Sequence, residues 1–169
     1  MKPKITAEKQ FVLAGMSFFG DPFESRPGWD EENEIGRLWS RFMAFLPALP
    51  SNFFPHPDTA YELHLATSET AAKGSFEVFV GMELDPARLQ ACPFDLCVKV
   101  LPLVKYAVFT YQGEEIESDW EKDIQDWLDA TGYVSPYAYN LQLYDSRFKG
   151  MNDLAQSVID VYVPVEQKS

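Results

Sequence analysis

Basic residues are scarce in this chain of 169 residues. It has 14 Lys and Arg against 26 Asp and Glu, which gives a formal net charge of −12 at pH 7. Binding to nucleic acids needs basic side chains that replace phosphate counterions, and anionic membrane surfaces repel an acidic protein. The charge therefore argues against direct nucleic-acid or membrane partners and favours cations. Solubility alone is the simpler interpretation of the same charge.

Cysteine and histidine are also scarce. Two cysteines, Cys92 and Cys97, are too few for a disulfide framework. A zinc site would need two further ligands, and the chain has only His56 and His64 to offer. We therefore expect no metal, no cofactor and two free thiols, as in a reducing cytoplasm.

Segments that mark membrane proteins and common enzyme classes are missing. No apolar run reaches the roughly 18 residues of a membrane span, and the first residues lack the apolar region of a signal peptide. There is no glycine-rich phosphate loop and no Gly-x-Ser-x-Gly motif. The sequence thus predicts a cytoplasmic protein that is not an enzyme.

Hydrophobic periodicity predicts one α+β domain over residues 1–169. The hydrophobic content is 46%, enough for a sizeable core. Alternating or apolar runs predict strands, and apolar residues repeating at three and four predict two amphipathic helices. In chain order we expect a strand over 11–19, a helix over 35–46, strands over 61–66 and 76–84, a strand over 105–112, a helix over 116–128, and strands over 140–144 and 158–163. We expect Asp30 to cap the first helix, Gly132 to end the second, and Pro164 to stop the last strand.

The two halves of the chain repeat one order of elements. Apolar residues of the two helices follow the same spacing at an offset of 81 positions: Ile35, Trp39, Met43 and Leu46 in the first, and Ile116, Trp120, Ile124 and Trp127 in the second. We infer an internal repeat of about residues 8–85 and 103–166. Two βαββ halves predict one antiparallel sheet with both main helices on one face.

One face of this sheet has an unusual composition. The helices should cover Val78, Val80, Met82 and Leu84, together with Ile159, Val161 and Val163. The opposite face is then expected to carry the aromatic, acidic and amide side chains of Phe79, Glu83, Asp160 and Tyr162, and of Glu62, His64, Gln142 and Tyr144. Rings with a few polar groups in a concavity are typical of a small-molecule site, and aromatic faces attract cations. Ordinary exposed strand residues are the alternative.

The order of several motifs resembles the gyrase-inhibitor-like small-molecule-binding domain family, over about residues 5–166. The similar segments are Lys105-Tyr-Ala-Val-Phe-Thr-Tyr-Gln-Gly, Trp120, Trp127-Leu, Tyr144-Asp-Ser-Arg-Phe, Ile159-Asp-Val-Tyr-Val-Pro, Leu38-Trp-Ser-Arg-Phe and Val80-Gly-Met-Glu-Leu-Asp. The family is the effector-binding domain of bacterial multidrug-sensing transcription activators of the AraC and MerR types, and it also occurs alone. The resemblance implies a duplicated βαββ fold whose groove binds lipophilic organic cations through aromatic residues and an acidic residue.

The resemblance also implies roles for individual residues. Glu83 matches the family's glutamate, Trp39 matches a common tryptophan of the first helix, and Asp160 and Tyr162 match positions in the last strand. Many members have Glu where this chain has Gln142, so we expect Glu83 to supply most of the acidic character, with Glu62 or Asp160 as helpers. The expected ligand-binding residues are Glu83, Trp39, Phe79, His64, Tyr111, Gln142, Tyr144, Asp160 and Tyr162.

Two other functions stay open at this stage. Some relatives hydrolyse reactive drug-like compounds, and Glu83 with Tyr111 or Tyr144 would be the base and its orienting group. A protein-interaction module, with a DNA-binding protein or gyrase as partner, is the second alternative. The leading expectation is a stand-alone sensor or sequestering domain that reaches DNA only through a partner. We further expect a loop at Pro22 to Trp29 to cover the groove.

Overall fold

The computed structural model describes residues 2–28 and 30–168, and there it confirms the predicted α+β class. The strands are β1 (Lys4–Ile5), β2 (Val12–Gly20), β3 (Ala60–Ala66), β4 (Phe76–Glu83), β5 (Cys97–Val100), β6 (Lys105–Gln112), β7 (Tyr133–Val134), β8 (Tyr139–Tyr144) and β9 (Val158–Gln167). The helices are α1 (Glu34–Phe45), the single turn α2 (Thr70–Lys73) and α3 (Trp120–Ala130). Each half runs strand, main helix, strand, strand: β2-α1-β3-β4 and then β6-α3-β8-β9. None of the helices formed by the described residues is long and apolar enough to cross a membrane.

Helix α1 forms where its apolar residues make one stripe. Leu38 and Phe42 on that stripe are buried against the sheet. The N-cap is Asn33, whose side chain accepts a hydrogen bond from the backbone N–H of Gly36. The predicted cap was therefore wrong: Asp30 accepts from the backbone of Glu32 and shapes the loop before the helix.

Helix α3 is shorter than its periodicity predicts. Its N-cap is Asp119, and Ile116 belongs to a separate 3₁₀ turn over Gly113–Glu117 that precedes the helix. The helix ends at Ala130 with the extended residue Thr131 as its C-cap, so Gly132 follows the helix end as predicted, although its backbone is not left-handed. In both helices the capping side chain therefore defines the first residue more precisely than the spacing of apolar residues does.

The six longer strands lie within two residues of their predicted limits, apart from the C-terminal end of the last one. β9 continues through Pro164, which pairs with Tyr106 of β6, and ends at Gln167. On its other side, β9 pairs with β8 only at Asp160 to Tyr162 and with β7 only at Glu166 and Gln167. Pro164 lies between these two stretches and needs no N–H for a second ladder. A missing N–H is tolerated at such a position. The short strands β1, β5 and β7 were not predicted, since two to four residues carry too little alternation.

The nine-stranded sheet is antiparallel throughout, with strand order β1-β6-β9-β8-β3-β4-β2-β5 and β7 beside β9. One antiparallel run connects its two ends: it begins at Lys4↔Val108, continues through the bridge Lys9↔Val104 and reaches Gly15↔Cys97. The sheet therefore curls until its ends meet. The curled sheet brings β2 and β4 very close together at Gly15. Only glycine fits there, because a Cβ at this position would lie 2.0 Å from the carbonyl oxygen of Val80.

Curling gives the sheet two unlike faces. The helices cover the outer face, where Leu38 and Phe42 pack on Val78, Val80 and Met82, as predicted. The inner face is filled by a third apolar cluster, whose fully buried members include Phe11, Leu13, Leu63, Phe79, Tyr106 and Leu141. The face that we expected to hold the ligand is thus largely closed core.

Register corrects the predicted face of four polar residues. Glu62 pairs with Val80, and His64 pairs with Val78. Directly paired residues share a face, so both side chains lie on the outer, helix-covered face. Gln142 lies beside Glu62, and Tyr144 is two residues further along the same strand. These four side chains are therefore separated by the sheet from Phe79 and Glu83.

Candidate ligand-binding site

A cavity of about 720 Å³ lies on the outer face, between the N-terminal ends of α1 and α3. Its floor is the central strand pair β3–β8, which is where the two halves of the chain meet. Because the helices pack on opposite halves of the sheet, they leave this central strip uncovered. We name this space the Glu62 cavity after the carboxylate on its floor.

Glu62 and Gln142 face each other across the middle of the floor. Both side chains belong to buried residues, 5% and 2% exposed. They hold equivalent places in the two halves, each on the strand that follows the main helix. A carboxylate on one half and an amide on the other therefore occupy equivalent places on the floor.

The carboxylate of Glu62 accepts two hydrogen bonds from protein groups. The indole Nε1 of Trp39 donates to Oε2 at 2.5 Å. The imidazole Nε2 of His64 lies 2.6 Å from Oε1, and since that carboxylate oxygen accepts, Nε2 donates. Trp39 reaches down from α1 and His64 stands two residues along β3, so the carboxylate is fixed in position before any ligand arrives.

Tyr144 and Gln142 form a second hydrogen-bonded pair on the floor. The Tyr144 hydroxyl donates to Gln142 Oε1 at 2.8 Å, and its ring meets the indole of Trp39 edge-on, with centroids 5.1 Å apart. Burial raises the pKa of Tyr144 well above its ordinary value, and the nearby Glu62 carboxylate raises it further. The phenol therefore stays neutral and remains a donor throughout the physiological pH range.

Among the described residues, six aromatic side chains line the cavity. They come from both halves and from the loops between elements: Phe23, Trp39, Phe76, Trp120, Tyr144 and Phe148. Met43 and Met151 add two flexible thioether side chains, which adapt to ligands of varied shape. A wall of this kind binds flat or bulky apolar groups.

The charged side chains that line the cavity are predominantly acidic. Among the described residues that line the Glu62 cavity there are four carboxylates and no Lys or Arg. Asp30 and Glu31 lie at the rim on the loop before α1, Glu121 lies at the start of α3, and Glu62 lies on the floor. His64 is the only residue there that can carry a positive charge.

The loop before α1 contributes to the lining of the cavity, and whether it covers a bound ligand stays a prediction. Phe23 and Gly28 from this loop line the cavity. The Phe23 ring approaches Phe76 of β4 from across the opening, with 6.2 Å between ring centroids. Trp29, the end of the predicted covering loop, lies outside the described residues.

The structure brings four of the nine predicted binding residues together in this cavity, namely Trp39, His64, Gln142 and Tyr144. Tyr111 is on the same face but is packed in the core under α3, where its hydroxyl donates to the Trp120 carbonyl oxygen at 3.4 Å. It does not line the cavity.

The other four predicted residues lie on the opposite side of the sheet. Phe79 is fully buried in the inner core. Tyr162 packs against Phe11 and Tyr106 at the edge of that core. Asp160 is bonded to Arg147 at 2.6 Å and to Thr110 at 2.6 Å.

Glu83, the carboxylate singled out by the resemblance, already has protein partners. Lys9 Nζ donates to it at 2.9 Å and the Tyr61 hydroxyl donates to it at 3.1 Å. It lies on the inner side of β4, away from both Tyr111 and Tyr144. The base and orienting group of the hydrolase alternative are therefore not brought together by the fold.

Sequence reasoning missed most of the cavity wall. Trp120 was predicted only as an apolar position of the second helix; it packs against the core under α3 and also lines the cavity, whereas its companion Trp127 packs against Phe109 and Tyr133. The signal that could have found Trp120 was its equivalence to Trp39 at the offset of 81. Phe76 and Phe148 had no such signal, because their position depends on strand register.

A curled antiparallel sheet with a ligand-sized cavity between two helices is the architecture of an effector-binding domain. The chain belongs to the Cass2 family of integron-associated effector-binding proteins, whose family model matches residues 4–165.

Solved structures of low sequence identity share this fold. The structure of SAV2435 bound to tetraphenylphosphonium is 15% identical, covers 98% of this chain and 94% of its own, and has a TM-score of 0.66. The C-terminal domain of EcmrR is 16% identical over 97% of this chain and 95% of its own, with a TM-score of 0.62. EcmrR has also been solved in complex with DNA.

One structural neighbour is an enzyme. A hydrolase encoded by lin2189 of Listeria innocua is 9% identical over 98% of this chain and 92% of its own, with a TM-score of 0.57. No curated protein matches the chain by sequence. At these identities the likeness of the solved structures establishes the fold alone.

Proposed function

We propose that this effector-binding domain takes lipophilic organic cations as its ligands. The observation that carries the proposal is the buried carboxylate of Glu62, fixed on the floor of an aromatic cavity whose described lining has no Lys or Arg. We assign the domain a sensing or sequestering role in the cytoplasm and no catalytic one.

Glu62 is the group for which a cation is the best partner. Removing a carboxylate from water costs several kcal/mol, and hydrogen bonds from Trp39 and His64 offset only part of that cost. Apart from His64, none of the described residues that line the cavity can offset this charge, so a cation that enters adds a counter-charge where water is excluded. A neutral ligand of the same shape gains the apolar contacts but leaves the carboxylate as it was.

The aromatic wall selects lipophilic cations over small hydrated ones. A cation over the face of a ring gains about 0.5–2 kcal/mol, and burial of apolar groups adds about 25 cal/mol per Å². Trp39 and Trp120 approach from opposite halves, so that an organic cation between them contacts rings on two sides.

The rim carboxylates support the proposal less strongly. Glu121 lies in the first turn of α3, where an acidic residue also stabilises the helix by interacting with its positive N-terminal end. That helical effect accounts for Glu121 without a ligand, and Glu31 stands exposed on the loop before α1. Glu62 stands on a strand and has no such explanation.

The relatives agree with this choice of ligand. Tetraphenylphosphonium, bound by SAV2435, is a bulky lipophilic cation. The EcmrR domain belongs to a protein that has been solved on DNA, which fits an effector domain linked to transcription. For the present chain we infer a protein partner, such as a DNA-binding protein, since its surface charge disfavours DNA.

The test is a titration with two ligands of one shape. Methyltriphenylphosphonium is cationic, and triphenylphosphine oxide is a neutral compound of similar size. We expect saturable quenching of tryptophan fluorescence by the cation, because Trp39 and Trp120 line the cavity, and at least about tenfold weaker binding of the oxide. Equal affinity for both ligands would contradict the electrostatic basis of the proposal.

The same samples address the hydrolase alternative. A reactive ester-bearing cation, incubated with the protein and followed by mass spectrometry, should remain unchanged beyond its rate of hydrolysis in buffer. Turnover above that rate would replace the binding function with an enzymatic one.

A further inference from the structure

A second cavity of about 630 Å³ adjoins the Glu62 cavity. It lies beside α3, above the start of β8 and the segment 135–138 that leads into that strand. Four residues line both spaces and form the boundary between them, which we call the neck: His64, Phe76, Trp120 and Glu121. We name the second space the Asn140 cavity after the polar residue on its floor.

Asn140 is the feature of this cavity that indicates a ligand. It pairs with His64 across the β3–β8 ladder, so its side chain lies on the same outer face. Its Oδ1 atom is buried and has no hydrogen-bond partner among residues 2–28 and 30–168. An unpaired buried amide oxygen costs about 1–3 kcal/mol. The terminal torsion of the asparagine amide is soft, so the amide can turn this oxygen towards the cavity, where a ligand that donates a hydrogen bond removes that cost.

The two cavities differ in charge. The described lining of the Glu62 cavity has four carboxylates, whereas that of the Asn140 cavity has only Glu121, at the neck. Apart from His64 at the neck, the remaining polar groups of the second space are uncharged, among them Gln125 and Ser135. A cation therefore belongs in the first cavity, and an uncharged group with an N–H or O–H belongs in the second.

The distance between Glu62 and Asn140 along the floor is short enough for one ligand to reach both cavities. Glu62 pairs with Gln142, and Asn140 is two residues along β8 from Gln142, which makes it a diagonal neighbour of Glu62. Diagonal neighbours on one face are about 7–8 Å apart. A short flexible spacer between a cationic head and a hydrogen-bond donor spans such a distance.

We propose that the two cavities bind the two ends of one elongated ligand, with its cationic head at Glu62 and an uncharged arm whose N–H or O–H donates to Asn140 Oδ1. This inference rests on the proposed function, because it takes the cation at Glu62 as given. The effector class is then an amphipathic cation with a hydrogen-bonding tail, rather than a compact cation that fills the first cavity alone.

The experiment uses two series of alkyl trimethylammonium compounds that differ only at the far end. One series ends in a hydroxyl, which donates, and the other ends in a methoxy group, which only accepts. Spacers run from about two to about ten methylene groups, to bracket the diagonal distance. Each compound displaces methyltriphenylphosphonium from the wild-type protein, and the readout is the ratio of hydroxyl to methoxy affinity at each length.

We expect this ratio to rise to about five at one intermediate length, the value of a single hydrogen bond. In Asn140→Leu it should fall to one at every length. The same substitution at the exposed Asn52 is the control and should leave the ratio unchanged. Because the wild-type comparison needs no variant, poor folding of Asn140→Leu would not rescue the proposal.

The failures of the two proposals are distinguishable. A ratio near one at all lengths, with methyltriphenylphosphonium still bound, overturns the two-ended ligand and leaves the cation site intact. A methoxy preference overturns Asn140 as the acceptor. Absence of binding by methyltriphenylphosphonium and by both series overturns the proposed function itself.

Discussion

The two faces of the strand pair β3–β8 have opposite environments. Side chains along each strand point alternately to one face and to the other. Inward, Leu63 and Leu141 pair with each other and are fully buried in the closed core of the curled sheet. Outward, Glu62 and Gln142 form the adjacent pair, and the space above them is open. The comparison teaches that curling fills one face with the chain's own side chains, while the gap between two helices leaves the other face available for a ligand.

High pH should destabilise the packing on both faces at once. This loss of stability is the largest effect that we expect. Burial raises the pKa of Tyr61 and Tyr106 on the inner face, and of Tyr111 and Tyr144 on the outer face. Since the unfolded pKa is about 10, stability is intact below pH 10 and falls above it, by about 1.4 kcal/mol per pH unit for each such tyrosine.

Absorbance at 295 nm, followed together with circular dichroism, checks this prediction. The buried phenols should ionise only as the fold is lost, in one steep alkaline transition. Gradual ionisation of all eight tyrosines near pH 10, with the fold intact, would contradict their burial.

Phe79→Ala should damage the inner face alone. Phe79 is fully buried in the inner core, and truncating such a ring costs about 3–5 kcal/mol of unfolding free energy. Urea denaturation measures this loss. The affinity of the remaining folded protein for methyltriphenylphosphonium should stay within about twofold, and a large loss of affinity would mean that Phe79 contacts the ligand, as the sequence suggested.

Gln142→Glu should alter the outer face alone. It places a second carboxylate directly beside Glu62, where like charges repel in a water-poor site. We expect the unfolding free energy of the ligand-free protein to fall by about 2 kcal/mol, and affinity for the cation to rise about tenfold.

Gln142→Leu is the matched control, since it removes the amide without adding charge. It should lower stability, because the hydrogen bond between the Tyr144 hydroxyl and the Gln142 amide is lost, and it should not raise cation affinity. Equal affinities of the Glu and Leu variants would show that this position does not sense the ligand's charge.

The sequence predicted the elements well and the site only in part. The alternation of Phe76 to Leu84 and the spacing of Leu38 and Phe42 are local patterns, so the strand, the helix and their mutual packing could be predicted. The face of Glu62 depends on which residue of β4 it pairs with. That register is a long-range property, and a shift of one residue reverses every side chain.

The resemblance led to Glu83 for the same reason. A motif match identifies a position along the chain, whereas the partners of that position come from distant segments. Lys9 and Tyr61 satisfy Glu83, and no local pattern announces either contact. The carboxylate on the cavity floor stands on β3, directly beside Gln142 of β8. This arrangement became visible only once β3 and β8 were paired.

The most direct test of the account compares two single substitutions, Glu62→Gln and Glu83→Gln, with methyltriphenylphosphonium and triphenylphosphine oxide as ligands. The account predicts that Glu62→Gln weakens binding of the cation by about 10–100-fold and changes binding of the neutral oxide by less than about threefold. Glu83→Gln should leave both affinities close to wild type. Loss of cation binding in Glu83→Gln, with Glu62→Gln unaffected, would place the site on the other face of the sheet and contradict the account.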